Sequence, residues 1–475
     1  MALPNTHHGA EYISSLLSGK KNLFFAGIGG VSMNSLAKIS HLRGHKVSGY
    51  DRSPSEITHA LEDMGITVYY ESDAAHVLDC DALIYTVAMP ETTPEYAYAK
   101  EHGIPLISRA DFLGYIMTGY KHRLGISGTH GKSSTTGMVA RVLSSAGCDP
   151  TVFSGAILKD SGSVDMIGGD DFFVFEACEY MDSFLDFNPT SAVVLNLELD
   201  HVDYFHSIEQ IRDSFAKFMA ITGEDGYAII NLDCENSVLA ANNYVGKKIT
   251  YSRVSDTADY YSANEAITDG YPEFDVVSQG EALAHVKLKV TGEHNISNAL
   301  ASFALCHVHG VDADKIAYGL SSYDGIGRRM EKICKTSAGA DVYTDYAHHP
   351  TEIATTLAGA RGICKGKLHV VFQPHTFSRT AELFDDFVTS LSGCGADEIT
   401  LCEIYPARET NIYGISSAML SDKIEAANCK CHVAHDFSDA AEYADSVSGA
   451  GDMIIVMGAG DVIEVAKKFS EKYKK

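Results

Sequence analysis

The stretch Ile126-Ser-Gly-Thr-His-Gly-Lys-Ser-Ser-Thr135 decides the fold. An apolar lead-in precedes it and a helical run, Thr136-Gly-Met-Val-Ala-Arg-Val-Leu143, follows, so the glycines fall where a strand turns into a helix. At such a junction backbone N–H groups and the positive end of the helix dipole converge on anionic oxygens. A lysine and hydroxyl residues turn it into a cradle for a nucleoside triphosphate. Gly128, Thr129, His130 and Gly131 form the turn, Lys132 reaches the β- and γ-phosphates, and the Ser133 hydroxyl coordinates Mg²⁺, a hard cation that prefers oxygen. The generic pattern G-x-x-x-x-G-K-[ST] asks for glycine at 126, where this chain has Ile126 between other glycines. The neighbouring glycines, 125 and 128, and the second hydroxyl, Ser134, favour a phosphate loop over a plain strand-ending turn.

Upstream, Asn22-Leu-Phe-Phe-Ala-Gly-Ile-Gly-Gly-Val-Ser-Met33 runs into an amphipathic helix to Arg43. The next strand, Lys46 to Asp51, ends in an acid about twenty residues past the glycines, the layout of a dinucleotide-binding βαβ unit. Ser32 stands where the third glycine of that fingerprint belongs. Strand-like runs at Ala82–Val87 and Pro105–Ser108, with a helix between, complete a Rossmann-like domain for a nucleoside phosphate.

Downstream, the strand Asp171–Glu179 presents Glu176 and Glu179 at its end, and Ala192–Leu197 runs into Glu198-Leu-Asp-His201. Ligands bind beyond the carboxyl ends of doubly wound strands, so Glu176 and His201 are expected beside the phosphate loop, as ligands of a second Mg²⁺. Asn295 and Asn298 lie one turn apart on an Ala/Leu-rich helix, either starting it or reading a base edge. A glycine-rich hinge, Ser321–Met330, marks the next boundary. Strands then run into Asp345, His348, His375, Arg379 and Asp461, a polar rim suited to a small charged substrate.

The length of 475 residues suits about three domains. Lys plus Arg number 37 against 63 Asp plus Glu, a net charge of -26 that repels a nucleic-acid backbone. Eleven scattered cysteines, an odd number with only Cys429-Lys-Cys431 close together, argue for reduced thiols in a cytoplasmic protein. The N-terminus lacks a signal-peptide pattern, and no apolar run reaches membrane-spanning length.

Together these motifs resemble the Mur ligase family over nearly the whole chain, and Gly27-Ile-Gly-Gly30 favours its alanine-adding member. The resemblance implies an α/β fold of three domains. These are a Rossmann-like N-terminal domain binding UDP (1–119), a central P-loop ATPase-like domain with a mostly parallel sheet (120–326), and a Rossmann-like C-terminal domain for the amino acid (327–475). It assigns Gly27, Ile28, Gly29, Gly30 and Asp51 to the UDP substrate. Glu176-Ala-Cys-Glu179 matches a family Glu-Ala-Asp-Glu with Cys178 replacing Asp, and Asp200-His201-x-Asp203 matches the metal-binding histidine motif. His294, Asn295 and Asn298 look like the adenine-contacting helix start, and Arg329 like the arginine that meets ATP from the third domain. Asp345 falls in a motif near ATP, and His348, His375 and Arg379 in motifs near the amino acid. The carbamylated lysine of several siblings is not transferred, because Phe215 stands at its counterpart with Lys217 out of step.

The implied activity is ATP-dependent amide formation between UDP-N-acetylmuramate and L-alanine. Lys132, Glu176, His201 and Arg329 are its catalytic residues, with Mg²⁺ on Ser133, Glu176 and His201. The implied protein is a monomer or homodimer without nucleic-acid or membrane partners. Glycines 325 and 327 suggest an open form without ATP. Rival readings are a sister ligase adding a murein tripeptide, a nicotinamide-dependent oxidoreductase resting on Gly27-x-Gly29 and Asp51, and a nucleotide-gated binding protein.

Overall fold

Short apolar strands alternate with helices along the chain, a pattern that pairs strands in parallel through crossover helices. The structure, a computed structural model, describes residues 3–159, 161–201, 204–393, 395–407 and 409–473. It divides into two compact units: Met1–Lys132 with Gly147–Gly155 and Ser161–Thr250, and Ser133–Ala146 with Ala156–Asp160 and Tyr251–Lys475.

In the first unit a five-stranded sheet has the order Thr67–Tyr69, Lys46–Tyr50, Asn22–Ala26, Ala82–Tyr85, Leu106–Ser108. All its pairings are parallel, and the order reverses at Asn22–Ala26, the strand that runs into Gly27. The same logic governs His122–Ser127, which pairs in parallel with Phe172–Glu176 on one side and Ser191–Val194 on the other. Thr151–Leu158 and Tyr227–Asn231 extend this sheet outward. Both glycine turns therefore leave a sheet at its topological switch point, where ligands of open α/β sheets bind.

One apolar core, including Phe25, Phe112, Phe173, Phe184, Phe215 and Phe218, joins the two sheets of this unit. Gly114 permits the join: a Cβ there would lie 2.0 Å from the carbonyl oxygen of Asp186. Phe215 packs edge-on to Phe184 at 5.2 Å while Lys217 is exposed. A core phenylalanine thus occupies the position where a carbamylated lysine was ruled out.

In the second unit, Tyr260–Thr268, Tyr271–Ser278 and Glu281–Lys287 form an antiparallel meander that the sequence reading did not identify. Its turns are Asp269-Gly270 and Gln279-Gly280, all four residues at positive φ (54°, 86°, 52° and 81°), as two-residue hairpin turns require. The C-terminal sheet is six-stranded, in the order Glu331–Lys335, Asp341–Asp345, Met453–Met457, Leu368–Phe372, Glu398–Leu401, Lys430–Val433. Only the first strand is antiparallel, so the carboxyl ends of the others share one edge.

The segment of the expected hinge at Gly325 and Gly327 makes definite contacts. Ile326 is fully buried and bridges Leu158, the Gly327 N–H donates to the Ile157 carbonyl (2.8 Å), and Lys159 Nζ donates to the Asp324 carbonyl (2.6 Å). The backbone is left-handed at Gly325 (φ 89°) and again at Arg328 (φ 56°) and Met330 (φ 45°). The cysteines of the described residues are free, and no described helix is long and apolar enough to cross a membrane.

Candidate active site

The phosphate loop follows His122–Ser127 and ends where the helix Lys132–Ala146 begins, with Ser133 and Ser134 in its first turn. Gly128 (φ 140°) and Gly131 (φ 86°) hold conformations that favour glycine, and a Cβ on Gly128 would approach Leu195 Cβ to 2.9 Å. The loop is tied to Asn196 and to Glu198, whose N–H donates to Thr129 Oγ1 (2.9 Å); Asn196 makes three of the contacts. Its backbone carbonyl accepts from the Thr129 N–H (2.9 Å), its Oδ1 from the His130 N–H (2.8 Å), and its Nδ2 donates to the His130 carbonyl (3.0 Å).

Lys132 Nζ donates to the carbonyls of Gly128 (2.5 Å) and Thr129 (3.1 Å) and to both oxygens of Glu179 (3.4 and 3.2 Å). Burial opposes the ammonium charge, but the Glu179 carboxylate, reinforced by Glu176, outweighs it and holds the Lys132 pKa above its ordinary value. A lysine ammonium held by a carboxylate thus stands within the loop.

Glu179, 3% exposed, stands beside both Lys132 and His201, whose Nε2 lies 3.9 Å away. Glu176, at the end of its strand, accepts instead from the Gly155 N–H (2.5 Å) and the Ser154 hydroxyl (3.0 Å). His201 adopts φ 52°, its N–H donates to Asp200 Oδ1 (2.7 Å), and its ring lies 4.7 Å from that of Tyr180. Asp203 lies outside the described residues. Carboxylate oxygens with one imidazole are ligands Mg²⁺ accepts, so this donor set fits the metal the motifs imply.

The N-terminal turn uses the same device differently. The N–H groups of Gly27 and Ile28 donate to the Tyr50 carbonyl (2.8 and 3.0 Å), and that of Gly30 to Gly27 (3.0 Å). The Gly29 N–H donates to Asp51 Oδ2 (2.8 Å), whose other oxygen accepts from Arg52 (2.8 Å). Asp51 therefore shapes the loop.

In the second unit, Asn295 Nδ2 donates to the Thr291 carbonyl (2.7 Å) and Asn298 Nδ2 to Asn295 Oδ1 (3.0 Å), so the two amides brace the helix His294–Val308 at its start. Arg329 Nη1 lies 3.5 Å from Glu352, and both Arg328 and Arg329 lie over the Tyr346 ring, at 4.7 and 5.6 Å. Asp345, 2% exposed, accepts from the N–H groups of Met330 and Ala347 (both 2.8 Å). Burial raises its pKa against the pull of Arg329 and those N–H groups. The rim brings His348 and His375 together, their ring centroids 5.8 Å apart. It adds three residues the sequence reading did not assign. Glu352 holds Arg329 and the His348 N–H (3.2 Å), Gln373 donates to Asp461 (2.8 Å), and Tyr405 stacks on His375. Arg379 lies in the helix Phe377–Glu382 beyond that strand end. Tyr405 follows the end of a neighbouring strand, a cue the sequence carried without any motif around it.

A glycine–lysine phosphate loop on a parallel sheet, with acids and a histidine at adjacent strand ends, defines a nucleotide-triphosphate-using α/β enzyme. The chain belongs to the Mur ligase family. Its residues 23–121 match the Mur ligase family catalytic domain, 126–306 the Mur ligase middle domain, and 328–460 the Mur ligase glutamate ligase domain. It is 42% identical over 440 residues to the UDP-N-acetylmuramate–L-alanine ligase of Caldicellulosiruptor saccharolyticus, covering 92% of this chain and 96% of that one. The enzyme of the same name from Clostridium acetobutylicum is 40% identical, with coverage of 95% and 98%. Among solved structures, the UDP-N-acetylmuramate-alanine ligase of Thermotoga maritima superposes with a TM-score of 0.78 at 26% identity, covering 96% of this chain and 99% of that one. A murein peptide ligase from Psychrobacter arcticus shares the fold, with a TM-score of 0.68 at 23% identity and coverage of 95% and 98%.

Proposed function

We propose that this protein joins L-alanine to the lactyl carboxylate of UDP-N-acetylmuramate, using ATP, in peptidoglycan precursor synthesis. The observation that carries the reading is Lys132, a buried-side cation bonded to its own loop carbonyls and to Glu179. Likeness to relatives named for this reaction over more than nine-tenths of the chain supports the substrates.

A carboxylate resists amine attack, so ATP's γ-phosphoryl group passes first to a carboxylate oxygen, releasing ADP and giving an acyl phosphate. The amine of L-alanine then attacks the acyl carbon, expelling phosphate and losing a proton. Lys132 and Arg329 offset the charge that develops in phosphoryl transfer, a reaction governed by positioning and electrostatics. Ser133, Glu176 and His201 would hold Mg²⁺, which supplies further charge neutralisation when bound, and the position of Glu179 supports adding it to that set. Gly128, Thr129, His130, Gly131 and Ser134 take the phosphates, and His294, Asn295, Asn298 and Asp345 the rest of ATP. Gly27, Ile28, Gly29, Gly30 and Asp51 take the UDP moiety, and His348, His375 and Arg379 the amino acid. The domain limits 1–119, 120–326 and 327–475 are supported by the family-model edges at 121, 126, 306 and 328.

The test is phosphate release by purified protein with ATP, Mg²⁺, UDP-N-acetylmuramate and one of L-alanine, a murein tripeptide or no amine. Release with alanine, lost in Lys132→Ala, is expected. Release with the tripeptide alone moves the assignment to that sister ligase, and no release with either amine refutes the proposal.

A further inference from the structure

Four rings run along the C-terminal rim within the second unit. Tyr346 and His348 lie 5.4 Å apart at 80°, His348 and His375 5.8 Å apart at 68°, and His375 and Tyr405 5.4 Å apart at 27°. The last pair is fixed by backbone as well as by rings. His375 and Tyr405 form a parallel bridge, the Thr376 N–H donates to the Tyr405 carbonyl (2.8 Å), and the Tyr405 N–H donates to the Pro374 carbonyl (2.9 Å). Behind Tyr405 stands Gly460, where a Cβ would meet Gln373 Oε1 at 2.5 Å and Tyr405 Cγ and Cβ at 2.8 and 2.9 Å. The residue after His375, Thr376, is held at φ 67°. A non-glycine residue in that region is strained and persists only where its surroundings over-determine it.

We propose that Tyr405 is a positioning residue: by fixing the His375 ring, it limits the size of the amino-acid side chain that the rim accepts. The inference rests on the reading that His348 and His375 face the amino acid. A histidine ring stacked on one side and edge-packed on the other cannot tilt away from a bulkier ligand. Tyr405 therefore enforces a small pocket without touching the amino acid itself.

The test is steady-state kinetics on the full chain with L-alanine, glycine, L-2-aminobutyrate and L-valine. Loss of one aromatic pair is worth roughly a two- to tenfold change, so Tyr405→Ala is expected to raise the KM for L-alanine by that factor. The preference for L-alanine over L-2-aminobutyrate narrows, while kcat and the KM values for ATP and the UDP substrate hold. Tyr405→Phe, which keeps the ring, recovers the alanine KM, and Gly460→Ala, which presses on the ring, raises it. If Tyr405→Ala does not fold, Tyr405→Leu and Gly460→Ala decide by the same readouts. Unchanged alanine KM and preference overturn the proposal, as does an equal fall in activity whatever the substrate. His375→Ala separates the two levels: if it too leaves the alanine KM unchanged, the rim assignment itself fails. If it raises that KM while the Tyr405 variants do not, only the role of Tyr405 falls.

Discussion

Two glycine turns in the first unit leave parallel strands at switch points and enter helices, yet they hold opposite charges. Beyond Asn22–Ala26, the N–H groups of all four turn residues are spent on Tyr50, Asp51 and Gly27, and the group facing the turn is a carboxylate. Beyond His122–Ser127, Asn196 shapes the loop from outside, and the residue that follows the glycines is a lysine held as a cation by Glu179. A carboxylate on a loop N–H competes with a phosphate and suits a hydroxyl-bearing ligand, whereas a lysine in the loop draws phosphate in. The glycines supply the shape in both turns, and the counter-group selects the ligand.

Five measurements would break or sharpen that comparison. Lys132→Ala should have the largest effect, a loss in phosphate-release rate of about 10²–10³, with UDP-substrate affinity retained in calorimetry. An equal loss of UDP-substrate binding would erase the distinction between the turns. Gly128→Ala combines a strained φ with a clash against Leu195, and should lower stability by about 1–3 kcal/mol in thermal unfolding. Gly29→Ala meets only the movable carboxylate of Asp51 and the Thr58 methyl, so it should unfold closer to wild type and raise the KM for the UDP substrate rather than for ATP.

Asn196→Ala removes two side-chain bonds to His130 and should cost roughly thirtyfold in kcat/KM for ATP, since each such hydrogen bond is worth about 1 kcal/mol. The C-terminal rim supplies the smallest effect and a control. The Asp345 pKa is raised in the folded protein, so its contribution to stability is present below the unfolded carboxyl pKa and lost as pH rises through the folded one. Asp345→Asn should therefore gain stability relative to wild type as pH rises through that window, while ligase activity falls. A gain that grows on acidification would contradict the burial argument.

The strand–turn–helix units around Gly27 and Gly128 were legible because apolar runs, glycine positions and the following helix are local features. The edge position of Asp345, His348 and His375 was legible for the same reason, each following a buried strand. The meander at Tyr260–Lys287 was not identified, although Asp269-Gly270 is a strong hairpin signal between alternating residues. The expected hinge rested on the conformational freedom of glycine, but glycine also serves packing. At Gly137 and Gly327 the missing side chain permits close packing, with would-be Cβ atoms at 2.7 Å from Ile326 and 3.2 Å from Ile157.

By itself the sequence determined that this is an α/β protein with a phosphate loop, because such loops are built from consecutive residues whose conformational needs can be read in order. Only the tertiary structure decided that Glu179 stands beside Lys132 and His201, and that Tyr405 stands on His375. Those contacts join the ends of different strands. Register and crossover packing set which ends meet, and no local pattern of residues encodes either.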